Sequence, residues 1–155
     1  MKLSSTIAAG AIALALVAPA QAKSLITGVD VEQILEVAQG YGEAELTSQS
    51  NGDPQISGEI DGLTYHVFFA NCTDNTDCDD LNFYVGFLDL QPSLEVINDW
   101  NYAKRFSRAY LDEDGDACAE MDVDLSSGIT KQYLEAQFSL WEQVMQQFAE
   151  HVGYR

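Results

Sequence analysis

From Leu63 to Phe87 the sequence carries a pattern that leaves little freedom to the fold. Leu63, Tyr65, Val67 and Phe69 alternate with less apolar residues, and so do Leu81, Phe83, Val85 and Phe87. A period of two marks a strand buried on one face. Between the runs stand Cys72 and Cys78. If these cysteines face one another across a hairpin, Leu63 opposes Phe87, Tyr65 opposes Val85, Val67 opposes Phe83 and Phe69 opposes Leu81. A slip of one residue would destroy that match. Cross-strand neighbours have Cα atoms about 4.5–5.5 Å apart, within disulfide reach. Pattern and spacing thus predict the same antiparallel hairpin, closed by a Cys72–Cys78 disulfide. Closing so small a loop adds only about 2 kcal/mol by chain entropy, so the bridge fixes a turn more than it holds the fold.

A disulfide requires an oxidising compartment, and residues 1–22 supply the expected route. Lys2 gives a positive start, Ile7 to Val17 is an apolar run broken only by Gly10, and Ala20-Gln21-Ala22 follows Pro19 as a small-x-small cleavage site. These are the three parts of a secretory signal. The run is shorter than the roughly 20 residues a membrane span needs. The expected product is residues 23–155, one domain, exported to a bacterial periplasm or beyond, with no membrane span. The whole chain has 25 acidic and 7 basic side chains, a formal charge of −18, which becomes −19 when Lys2 is removed with the signal. Nucleic acid and anionic lipid need positive clusters and are excluded as partners.

The remaining elements follow from local signals. Asp30 reads as an N-cap with Gln33 as its capping-box partner and Val29 and Ile34 as a staple. Val31, Ile34, Leu35 and Ala38 form the apolar face of that helix, which Gly40 ends. Residues 44–60 alternate weakly around Asn51-Gly52, a hairpin signal. Pro92 opens a second helix with Leu94, Ile97 and Trp100 at helical spacing. Phe106–Asp112 and Ala117–Leu125 form a further hairpin around Asp114-Gly115. Residues 130–150 form a long amphipathic helix with the stripe Leu134, Phe138, Trp141, Met145 and Phe148. The order αββββαββα predicts an α+β fold, an antiparallel sheet with its helices mainly on one face.

Chemistry is sparse. His66 and His151 belong to no His/Cys ligand spacing, which argues against zinc. His66 reads as a strand residue opposite Tyr84, and His151 as part of a frayed C-terminus. No P-loop, G-x-G-x-x-G, G-x-S-x-G or H-E-x-x-H is present. Cys118 has Asp116, Glu120 and Asp122 nearby, and carboxylates raise a thiol pKa, so it reads as a plain strand cysteine. Asp112-Glu113-Asp114-Gly115-Asp116 lacks the EF-hand spacing and reads as a solvated turn. Asp74, Asp77, Asp79 and Asp80 bracket the cysteine loop and offer hard oxygen ligands for a weakly held Ca²⁺, the alternative reading of function. Acid–base catalysis needs two carboxylates in a cleft, and among 25 acids the sequence singles out no pair. Neither an enzyme nor a cofactor is expected.

Lys104, Arg105 and Arg108 cluster between the second helix and the next strand. With Ala109, Leu111, Ala119 and Met121 facing the core, Arg108 shares the other face with Glu120 and Asp122. It can pair with either, and a two-residue Asp-Gly loop would reverse the parity. The stretches Ile97-Asn98-Asp99-Trp100-Asn101, Arg105 to Asp112, Gly115-Asp116 and Met121 to Leu125, with the strand Phe83 to Phe87, resemble the YbjN-like domain family of bacterial sensory transduction regulators. The resemblance spans roughly residues 28–150. It implies a secretion-chaperone-like α+β fold, a non-enzymatic binding or regulatory role, protein partners, and a homodimer as one arrangement. Trp100, Asn101, Arg105 and Arg108 are the candidate contact residues, with core packing as the other reading of Trp100.

Overall fold

A computed structural model describes residues 24–155. The expected export segment, residues 1–22, lies outside the described residues. The elements are α1 (Val31–Gln39), β1 (Glu43–Ser48), β2 (Pro54–Ile60), β3 (Leu63–Thr73), β4 (Thr76–Phe87), α2 (Leu94–Ala103), β5 (Arg108–Leu111), β6 (Ala117–Asp124) and α3 (Lys131–Val152). The strands form one antiparallel six-stranded sheet in the order β1-β2-β3-β4-β6-β5. The fold is α+β in the order read from the sequence.

The central hairpin has the register set by the alternation: Val67 opposes Phe83, Phe69 opposes Leu81 and Cys72 opposes Cys78. Cys72 and Cys78 are joined in a disulfide, with Cα atoms 3.8 Å apart, closer than the expected range. The strands meet there in a two-residue turn at Asp74 (φ 53°) and Asn75 (φ 59°), left-handed positions that Asp and Asn tolerate best. Asn71 (φ 54°) and Asp77 (φ 47°) break the alternation beside the bridge. As a result Cys78 is buried in the core and Cys72 packs against it, although both carry even numbers. Asn75 Nδ2 donates to Asn51 O (3.2 Å) and Asp53 Oδ1 (2.8 Å), tying this turn to the β1–β2 loop.

Leu63, Tyr65, Val67, Phe69, Leu81, Phe83, Val85 and Phe87 are all buried on one face, against all three helices. The α3 stripe of Leu134, Phe138, Trp141, Met145 and Phe148 is wholly buried there. Phe138 meets Phe83 edge-on with ring centres 5.0 Å apart. Burying one such side chain contributes about 1.5–3 kcal/mol, and five on one helix explain why α3 spans the sheet. Its ends are well set: Thr130 Oγ1 accepts from Tyr133 N at 3.1 Å, and Gly153 takes the left-handed φ of 82°.

Helix starts differ from the local signals. The Asp30 carboxylate turns back to accept from Thr27 N (2.8 Å) and Thr27 Oγ1 (3.1 Å), so it makes no helix cap, and Gln33 Nε2 reaches its other oxygen. Val29 is 55% exposed and forms no staple. The tertiary seat of residues 26–28, where Ile26 bridges to Ile129, overrides the capping signal. In α2, Ser93 caps and the helix begins at Leu94, which is exposed while Ile97 and Trp100 are buried. His151 does not fray: its Nε2 lies 2.7 Å from Val96 O and its ring packs on Trp100, binding α3 to α2.

Candidate functional site

The alternation that fills the core also produces a second face. His66, Phe68 and Ala70 of β3, Asn82, Tyr84 and Gly86 of β4, Glu120 and Asp122 of β6, and Arg108 and Tyr110 of β5 lie opposite the helices. Among the described residues no helix covers this outer face. The rings of His66, Phe68 and Tyr84 pack together there, with centres 5.7–6.3 Å apart.

The β4–β6–β5 register fixes the chemistry of one half of the face. Tyr84 opposes Glu120, Gly86 opposes Cys118, and Arg108 opposes Glu120 on its other side. The pairing left open for Arg108 is thereby decided: its Nε donates to Glu120 Oε2 at 2.8 Å and its Nη2 binds the same oxygen. Tyr110 OH donates to Glu120 Oε1 at 2.6 Å. Asp122 instead accepts from Asn82 Nδ2 at 2.7 Å. The core parity assumed for Ala109, Ala119 and Met121 holds, because the β5–β6 loop runs from Asp112 to Asp116.

Next to this network Cys118 Sγ lies 3.1 Å from Tyr84 OH. Burial pushes the Cys118 thiol up, and Asp112, Glu120 and Asp116 push the same way against the Tyr84 hydrogen bond. The Tyr84 and Tyr110 phenols are also pushed well above the ordinary tyrosine value, first by burial and then by their hydrogen bonds. A thiol held protonated is a poor nucleophile, so this is a bonded network rather than an activated one.

The sheet ends at a cleft of about 530 Å³ on the outer face, beside the start of β3 and the end of β4. His66, Tyr84, Cys118, Asp112, Asp116 and Tyr154 line it. Asp112 Oδ1 accepts from Asp114 N (3.0 Å) and Asp116 N (2.8 Å) and so shapes the β5–β6 turn. Asp116 is only 7% exposed, and its buried Oδ1 has no hydrogen-bond partner among the described residues. The turn read as solvated therefore holds one buried acid. Nothing local marks Asp116 or Tyr154 for this place. The β4–β6 pairing and the return of the C-terminus put them there, the latter by stacking Tyr154 on Phe87 at 4.3 Å.

The four expected contact residues do not form one surface. Trp100 is 1% exposed, packs edge-on against Phe148 and gives its Nε1 proton to Ser107 Oγ at 3.2 Å. Asn101 donates to Ala109 O (2.9 Å) and accepts from Ala109 N (2.8 Å), a clamp on β5. Arg108 sits in the outer-face network. Arg105 is exposed beside Phe106, itself 70% exposed at a φ of 69°. Lys104 donates to Gln147 Oε1 at 2.7 Å and stands over Trp100. Asp74, Asp77, Asp79 and Asp80 do not converge: among the described residues no three His, Cys, Asp or Glu side chains gather around a metal-sized point. Asp80 Oδ2 accepts from Asn71 Nδ2 at 2.6 Å instead.

Known proteins share this fold and sequence pattern in part. Among solved structures, the Yersinia pestis type III secretion chaperone SycH, crystallised in complex with a stable fragment of YscM2, is 19% identical with a TM-score of 0.45, over 74% of this chain and 96% of that one. No curated protein matches. A family model described as "Putative bacterial sensory transduction regulator" matches residues 30–153, from the turn before α1 to the end of α3. The chain belongs to the YbjN family.

Proposed function

We propose that the protein is a non-enzymatic regulatory binding domain that works in the bacterial envelope after export, taking a protein as its partner and needing no cofactor. Family membership supports the regulatory role. The observation that carries the binding role is the outer sheet face: half-buried aromatic rings at His66, Phe68 and Tyr84 with no helix over them among the described residues. Aromatic side chains beside charged ones are characteristic of interface cores. Asp80 and Asp122, with Glu120 matched by Arg108, leave the face net acidic in a chain of net charge −18, so the complementary partner is basic. A homodimer is compatible with this reading, with the outer face left to the partner. Nothing in the loop of Asp74, Asp77, Asp79 and Asp80 favours the cation reading.

A photo-reactive amino acid in place of Phe68 tests this in living cells. A discrete adduct is expected from position 68, absent from Glu95 on the helical side, and lost with Asp122→Lys. Equal adducts from both positions, or no adduct together with substrate turnover by the purified protein, would sink the reading. N-terminal sequencing of the envelope fraction is expected to begin at Lys23.

A further inference from the structure

A buried carboxylate oxygen without a partner is costly, because it has lost water and gained nothing. Asp116 Oδ1 is such an atom, its residue 93% buried and at the wall of a cleft. The cleft holds a second carboxylate at Asp112, whose Oδ1 is engaged by the turn while Oδ2 has only the Cys118 thiol, 4.0 Å away. Among the described residues no lysine or arginine lines the cleft. Among the described residues its one basic side chain is His66, which burial holds below the ordinary histidine pKa. The other walls are aromatic: the Tyr84 ring and Tyr154, stacked on Phe87 and half-exposed at the rim. Two carboxylates with flat aromatic walls, in a volume of about 530 Å³, suit a planar cation that stacks and donates two parallel N–H bonds.

We propose that this cleft is a receptor for a guanidinium group, which donates to the carboxylates of Asp116 and Asp112 and lies against the rings of Tyr84 and Tyr154. The group can come on a free small molecule or on an arginine side chain of the basic partner. The inference rests on the binding reading above, and names what part of that partner enters the sheet face.

Calorimetric titration of the purified protein tests it with three probes: agmatine, N-acetylarginine amide, and N-acetylcitrulline amide as the neutral look-alike. The arginine derivative is expected to bind at least about tenfold more tightly than the citrulline one, as a charged hydrogen-bond pair requires. Tighter binding of N-acetylarginine amide than of agmatine identifies a peptide source, and the reverse order a free amine. Asp116→Asn is expected to weaken binding at least about tenfold while raising the melting temperature of the unliganded protein, since the uncompensated charge is gone. A purely structural carboxylate would lower it. Tyr154→Ala, at the rim, is expected to weaken binding several-fold with the fold intact, and it decides the matter if Asp116→Asn does not fold. Equal affinity for the citrulline derivative, or unchanged affinity in Asp116→Asn, would overturn the assignment. Adducts from position 68 without guanidinium binding would remove the cleft's role and leave the partner reading standing. Guanidinium binding without adducts would do the opposite.

Discussion

Gly28 stands where no side chain fits. A Cβ built on it would lie 1.9 Å from the carbonyl oxygen of Cys78, which is backbone and has no room to yield. Gly28→Ala is therefore expected to destabilise the protein by about 1–3 kcal/mol or more, the usual cost of overpacking, measured by urea unfolding. His66 makes a different residue-scale case. Its Nδ1 lies 3.1 Å from both Gln55 Nε2 and Ser57 Oγ, and burial lowers its pKa from 6.5. A base whose folded pKa is depressed binds fewer protons in the native state. Its contribution to stability is full above the unfolded value and is lost as pH falls through that value toward the folded one. The stability gap between the wild type and His66→Asn is accordingly expected to narrow from pH 7.5 to pH 5, read from melting temperatures of the two proteins side by side. Using the difference removes the carboxylates common to both.

At the scale of elements, Asn101 shows what the family-specific block does. Its amide pairs with both backbone groups of Ala109, as a neighbouring strand would. Asn101→Ala should cost about 1–3 kcal/mol, since it orphans a part-buried donor and acceptor. Asn101→Asp, which sets a carboxylate oxygen against the Ala109 carbonyl, should cost at least as much. Thermal unfolding followed by circular dichroism checks both. Trp100, Asn101, Ala109 and Asp112 of that block thus hold the α2–β5–β6 corner together, while Arg105 and Phe106 stand clear of it. The family-like block marks these residues as a set but carries no signal of which are exposed, so contact and packing roles are not separable from it. The β3–β4 register was legible because its two signals, alternation and cysteine spacing, are local to one hairpin. Burial of Asp116 was not, because it depends on β6 pairing with a strand some thirty residues earlier. Nor was the turn of Asp30 toward Thr27, since a capping signal is weak against a chain segment already fixed by Ile26 and Gly28.

For the whole molecule the dominant quantity is charge. With 25 acids against 7 bases, few carboxylates have a cation: among the described residues only Arg108–Glu120 and Lys131–Glu36 form ion pairs. Self-repulsion opposes the compact state and is screened by salt. Raising sodium chloride from about 20 mM to about 500 mM shortens the Debye length from roughly 20 Å to roughly 4 Å. The melting temperature is expected to rise over that range, where a protein held by surface ion pairs would lose stability.

The Asn101 clamp bears on how copies of this protein can meet. Polymerisation by strand pairing needs two open flanks on every unit, so that each addition regenerates a growing end. One flank of this sheet is β1, with Glu43 and Glu45 along it, and the other is β5, where Asn101 already occupies Ala109. A stoppered flank terminates growth. Pairing through β1 would end at two molecules, and their facing glutamates would discourage even that, so the Asn101 amide and the β1 carboxylates both oppose strand-by-strand growth.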